Sequence, residues 1–169
     1  MRVLMLGWEL PPLISGGLGV ACNGISTALR REGITVTFVV PWAVKGSNYD
    51  SAHVVGAFGD VQPGAMPGNV KAGSLRSYTS GYSFGLFSES IREEVERFAV
   101  TTRRIAEEQA FDIVHAHDWM TCRAGLFARK ALEKPLVVHF HSIEHDRAPA
   151  TPNPHVCDLE KEGLLAADH

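Results

Sequence analysis

The sequence is short of cysteine, of long apolar runs and of charge imbalance, and each shortage weighs against a class of protein. Its three cysteines, Cys22, Cys122 and Cys157, are odd in number and form no Cys-x-x-Cys pair. That argues against a disulfide framework or a zinc ribbon and points to a reducing cytoplasm. No stretch reaches the roughly 18–20 apolar residues of a membrane helix, and Val3–Gly7 is too short for the core of a signal peptide. The net charge of −3 gives no general electrostatic affinity for nucleic acid or anionic lipid. The Gly-x-Gly-x-x-Gly fingerprint and the Walker phosphate loop are missing, as are internal repeats and low-complexity tracts.

What is present reads as one α/β domain. The 169 residues, 45% of them hydrophobic and 21% charged, suffice for a single core. Residues 2–6 form an apolar run ending at Gly7, the pattern of a strand buried on both faces. Leu18, Ala21, Cys22, Ile25, Ala28 and Leu29 recur at helical spacing, closed by Arg30-Arg31 and Gly33. Ile34 to Val40 is a second β-branched run, stopped by Pro41. This strand–helix–strand unit implies a parallel sheet with a right-handed crossover.

Residues 43–87 hold half of the 16 glycines and suggest an irregular insertion with a hairpin or two. Strand-like pieces fall around His53–Phe58 and Lys71–Tyr78. Ser90-x-x-Glu93 reads as a capping box for a helix bearing Ile91, Val95, Phe98, Thr102, Ile105 and Ala106. Asp112–His115 is a strand, Met120–Leu132 a helix, and Leu136–Phe140 a strand. Asn153 and Pro154 then cap a helix carrying Val156, Leu159, Leu164 and Ala167. The fold class expected is a doubly wound, mainly parallel Rossmann-like sheet with helices on both faces.

Such a sheet binds ligands outside the carboxyl ends of its strands, and three polar clusters fall there. Ser15-Gly16-Gly17-Leu18-Gly19 lies between strand and helix, where glycines and free N–H groups suit a phosphate. A glycine turn for close helix–sheet packing accounts for it equally well. In His115-Ala116-His117-Asp118-Trp119, alternation puts His115 and His117 on one face. His115 reads as a core histidine; Trp119 can stack on a sugar, and His117 and Asp118 can hydrogen-bond hydroxyls. The spacing matches no metal-ligand pattern, so no metal is assigned. In the third cluster, His139 falls inside the strand and His141, Ser142 and Glu144 project into the cleft. Arg147 either meets an acidic acceptor or pairs with Asp146.

Trp8-Glu9, Pro11-Pro12 and Gly16-Gly17-Leu18-Gly19, with Asp112-Ile-Val-His-Ala-His-Asp-Trp119 and Val138-His-Phe-His-Ser-x-Glu144, resemble the GT-B glycosyltransferases, which have two facing Rossmann-like domains. The likeness is to the retaining branch of glycogen and starch synthases and family 4-like enzymes. It implies that residues 1–169 form a single N-terminal, acceptor-side domain, without the C-terminal domain that binds the nucleotide sugar. Its partners would be that domain, an ADP-, UDP- or GDP-linked sugar as co-substrate, and a glycan or glycoside acceptor, with no cofactor. By the same resemblance, Gly16, Gly17 and Leu18 meet the donor diphosphate, and His117, Asp118 and His141 serve the transferred sugar. Trp8, Glu9, Trp119, Ser142, Glu144 and Arg147 would line the acceptor side. Two positions depart from glycogen synthases: Ile14 replaces a lysine and Val20 an acidic residue. A half-cleft cannot enclose a reaction, so this chain is expected to be an inactive fragment. Two other readings stay open: a non-catalytic half acting as a binding subunit, and a metal-dependent hydrolase using the His/Asp cluster.

Overall fold

A computed structural model describes residues 1–13, 16–47, 49–64 and 89–169. In chain order the elements are β1 (Arg2–Leu6), α1 (Gly17–Arg31), β2 (Thr35–Val40), β3 (Ala43–Val44), β4 (His53–Gly56), β5 (Asp60–Val61), α2 (Glu89–Glu107), β6 (Ile113–His117), α3 (Trp119–Leu132), β7 (Leu136–His139), α4 (Glu144–Arg147) and α5 (Pro154–Ala166). Five strands form one sheet in the order β4-β2-β1-β6-β7, and all four neighbouring pairs are parallel. This is the α/β Rossmann-like architecture that the alternating runs imply. Successive strands are added outward on one side of β1, and then β6 starts the other side. The order therefore reverses between β1 and β6, the place where such sheets open a crevice.

Burial on both faces explains the unbroken apolar character of β1, whose Leu4, Met5 and Leu6 have no exposed surface. On the face bearing Met5 lies α1, whose Ser26 hydroxyl is 3.2 Å from Met5 Sδ. Against the opposite face lies α3. Gly125 of α3 comes so near that an added Cβ would sit 2.9 Å from Leu136 and 3.0 Å from Ala116. Gly33 ends α1 in the left-handed region, with φ +75, where a side chain would be strained. The α2 stripe of Ile91, Val95, Phe98, Ala99, Thr102 and Ala106 is buried. Phe98 meets Trp8 edge to face at 5.4 Å.

Several boundaries differ from the sequence reading. The insertion supplies no hairpin among the described residues: β4 joins β2 in parallel, and β3 pairs with β5 in parallel. The Lys71–Tyr78 piece lies outside the described residues. Ser90 is already within α2 rather than its cap. The strand after Asp112 extends to His117, and α3 follows directly, beginning at Trp119.

In α5 the buried stripe is Val156, Glu160 and Gly163, whereas Leu164 is 59% exposed. Its phase follows from a close approach: a Cβ on Gly163 would fall 2.4 Å from Cys122 Sγ. After α5, residues 168–169 run beside β7, with Asp168 N donating to Leu136 O at 2.8 Å and Val138 N to His169 O at 3.0 Å. Gly163→Ala is expected to lower stability by about 1–3 kcal/mol through overpacking. Leu164→Ser should change it by no more than about 0.5 kcal/mol. Urea denaturation of both variants checks the helix phase.

Candidate functional site

The crevice between β1 and β6 collects the glycine-bearing and histidine-bearing segments on one rim. β1 runs into Trp8-Glu9, and Glu9, only 1% exposed, lies under the start of α1. A Cβ at Gly16 would be 2.3 Å from Glu9 Oε2, so glycine there makes room for a buried carboxylate. Gly17 has open space instead. The cap residue of α1, Gly16, brings no side chain of its own, and the first turn carries no acidic residue. Glu9 therefore lies against the positive end of the helix. Leu18 contributes backbone only, since its side chain is in the core.

The second wall is built around Asp118. It sits at φ 61 and ψ 169, a region that is nearly exclusive to glycine and costs about 1–3 kcal/mol for other residues. Its contacts explain why the backbone is held there. Asp118 N donates to His139 O at 3.0 Å, and Oδ1 accepts from His141 N at 2.8 Å. Its carbonyl accepts from Thr121 N at 3.0 Å and from the Thr121 hydroxyl at 3.1 Å, which starts α3. One residue thus ties the end of β6 to the loop after β7.

Four imidazoles follow from this arrangement. His117 is opposite His139 in the β6–β7 register, and His115 is two residues earlier on the same face. Ring centroids are 4.2 Å apart for His115 and His117, 5.2 Å for His117 and His139, and 4.4 Å for the stacked His139 and His141. His117 Nδ1 lies 3.0 Å from His141 Nε2. Burial first, then the neighbouring imidazoles, depresses the pKa of His115 to about 4 and that of His117 to about 2. Burial also lowers His141, against an opposing pull from Asp118. These three imidazoles are therefore neutral at physiological pH. Cys22 on α1 approaches His117 and His141, and its thiol is pushed up to about 12 by burial, with Asp118 and Glu9 adding to it.

The later part of the third cluster, Ser142 to Arg147, is bound up with α5. Arg147 Nη2 is 2.8 Å from Glu160 Oε1 and 3.2 Å from Glu144 Oε2. Its Nη1 also donates to the carbonyl and the hydroxyl of Ser142. Glu160 accepts from Glu144 N at 2.8 Å, and Glu144 Oε1 accepts from Asn153 N at 3.0 Å. The three charged side chains are 7–12% exposed. They clamp the 142–153 loop to α5.

These positions revise several expected roles. Glu9 packs against Gly16, and His117 and Asp118 both contact His141. Trp8 and Trp119 are only 2% and 3% exposed and belong to the hydrophobic core, with no face open to a sugar. Glu9, His117 and Asp118 are likewise buried. Ser142, Glu144 and Arg147 form the loop clamp, in which Arg147 pairs with Glu144 and Glu160 rather than with Asp146. His141 is the partly exposed member of the set. The sequence reading missed Glu160, which sits in a helix with no motif. It also missed two ligand trios, Cys22-His117-His141 and His115-His117-His139, each with ligand atoms mutually within 4.8 Å. Spacing along one segment cannot reveal them, because separate strands and a helix supply the members.

Replacing Arg147 by Met would leave two buried carboxylates uncompensated, at an expected cost of about 3–5 kcal/mol. Arg129→Met removes a more exposed pair with Asp168, worth about 0–1 kcal/mol. Equal losses in chemical denaturation would contradict the clamp.

A family model described as the starch synthase catalytic domain matches residues 2–163. A glycogen synthase of Mycobacterium tuberculosis is 26% identical over 151 residues, covering 87% of this chain and 35% of the relative. A glycogen synthase of Thermus thermophilus is 29% identical over 152 residues, covering 86% and 33%. An uncharacterized glycosyltransferase of Methanocaldococcus jannaschii is 28% identical over 152 residues, covering 87% and 32%. The chain thus spans about a third of the length of these relatives. Among solved structures, sucrose-phosphate synthase from Thermosynechococcus elongatus superposes with a TM-score of 0.67 at 15% identity, over 99% of this chain and 41% of that one. That GT-B neighbour shares the fold. With nearly its whole length matched, the chain belongs to the starch synthase catalytic domain family.

Proposed function

We propose that this chain is the acceptor-side half of a retaining hexosyltransferase, which moves a sugar from a nucleoside diphosphate to a glycan or other hydroxyl. The observation that carries the reading is the placement, at neighbouring strand ends, of the glycine-led helix start at Gly16-Gly17 and a partly exposed, neutral His141. Membership of the starch synthase family and the glycogen synthase relatives support it.

Each part has a stated chemical task. Backbone N–H groups at Gly17 and Leu18, with the helix dipole behind them, suit the diphosphate that leaves as the glycosidic bond breaks. His141, uncharged at neutral pH, has its Nε2 against His117 Nδ1, which leaves the other ring nitrogen to meet a ligand. It would hold a hydroxyl of the transferred sugar without adding a cation beside the developing oxocarbenium charge. His117 and Asp118 are positioning residues: one fixes the imidazole, the other the backbone N–H of His141. The donor nucleotide needs a facing domain, which also excludes water from the cleft. That domain is part of the proposal, as is the low activity of this half alone.

His141→Ala, assayed with the donor-binding half present, should lower kcat by more than about tenfold while the melting temperature stays near that of the parent. Asp118→Ala should give a comparable loss, and Asp118→Asn, which keeps an acceptor oxygen, a smaller one. Unchanged turnover in His141→Ala would remove the assignment. Thermal stabilisation by a panel of ADP-, UDP- and GDP-sugars identifies the donor.

A further inference from the structure

His115 and His139 have no task in sugar transfer, yet they are assembled with His117 into a compact group. We propose that His115, His117 and His139 form a binding site for a borderline divalent transition cation of the zinc class, on the histidine-bearing face of the sheet.

The fold itself makes the cluster. Strand alternation sets His115 and His117 on one face, and the parallel register sets His139 directly beside His117. One ring nitrogen from each lies within 4.8 Å of those of the other two. Zinc–nitrogen bonds of about 2.0–2.1 Å in a tetrahedron separate their nitrogens by roughly 3.3 Å. Side-chain rotations of a small amount therefore close the set around an ion, and no strand has to move.

A second observation points to a ligand. Among the described residues, His115 Nε2 and His117 Nε2 are both buried without a hydrogen-bond partner. Two such orphans side by side are uncommon in a folded core. A metal ion would satisfy both lone pairs at once. His117 also carries the feature expected of a ligand: its other nitrogen, Nδ1, is 3.0 Å from His141 Nε2. Histidines bound to metal usually donate that second N–H to an outer partner, which fixes the tautomer. Here the outer partner is the cleft histidine, so the ion would hold the proton of His117 on Nδ1.

The donor set decides the class of ion. Three imidazole ligands favour zinc, copper, nickel or cobalt over magnesium or calcium, and three protein ligands leave one position to water. The competing set of Cys22, His117 and His141 is less suited. It requires loss of the His117–His141 contact, and the buried Cys22 thiol would have to give up its proton.

The test uses the untagged chain, stripped with a chelator and titrated with Co2+ and then Zn2+. One Co2+ per chain is expected, with visible d–d absorption and no thiolate charge-transfer band, displaced by zinc. The melting temperature should rise with zinc concentration. Cys22→Ser should bind as the parent does. His139→Gln should weaken binding at least about tenfold; His115→Gln gives the same reading if His139→Gln fails to fold, as judged by far-ultraviolet circular dichroism. Absence of saturable binding would overturn the proposal. So would parental affinity in a folded histidine variant, or a sulfur-to-cobalt band that disappears in Cys22→Ser.

Discussion

The rim depends on the buried Asp118. Its amide, carboxylate and carbonyl each hold a different element: the end of β7 through His139, the loop through His141, and the first turn of α3 through Thr121. A residue at φ 61 and ψ 169 is costly, and the hydrogen bonds of its amide, carboxylate and carbonyl are what keep it there. A glycine would adopt that backbone without strain but could not reach His141. The conformation and the carboxylate together explain why an aspartate ends β6.

The surrounding charges follow the same logic. Burying His115 and His117 among other imidazoles, without counter-charge, is tolerable only if both stay neutral, and their shared surroundings enforce that. The Glu144–Arg147–Glu160 clamp is different: its charges are kept, at low exposure, because each carboxylate also accepts a backbone N–H. One cluster supplies neutral hydrogen-bonding groups at the crevice. The other fixes the loop that leads away from it. Glu9 beneath Gly16 is a third buried acid, placed where the helix start favours negative charge.

Much of the fold was legible in the chain. Apolar runs of four to six residues separated by helical periodicity specify parallel strands and crossovers, and the glycine and proline signals at Gly33 and Asn153-Pro154 fall at real helix ends. The rim was legible too, because strand ends in such a sheet share one edge. Individual roles were not. Trp8 and Trp119 look like ligand-stacking residues in a linear motif, but their large side chains fill the space between sheet and helices. Leu164 looks like a core residue until the approach of Gly163 to Cys122 rotates α5.

The sequence by itself determined the alternation of elements, the family likeness and the set of residues gathered at the carboxyl ends of β1, β6 and β7. Those properties are local, or follow from topology. Only the tertiary structure decided which of these groups face the crevice, that Arg147 turns to Glu160, and that three histidines from two strands share a single locus. Such outcomes depend on helix phase and strand register, where a rotation of one position reverses which side chains meet.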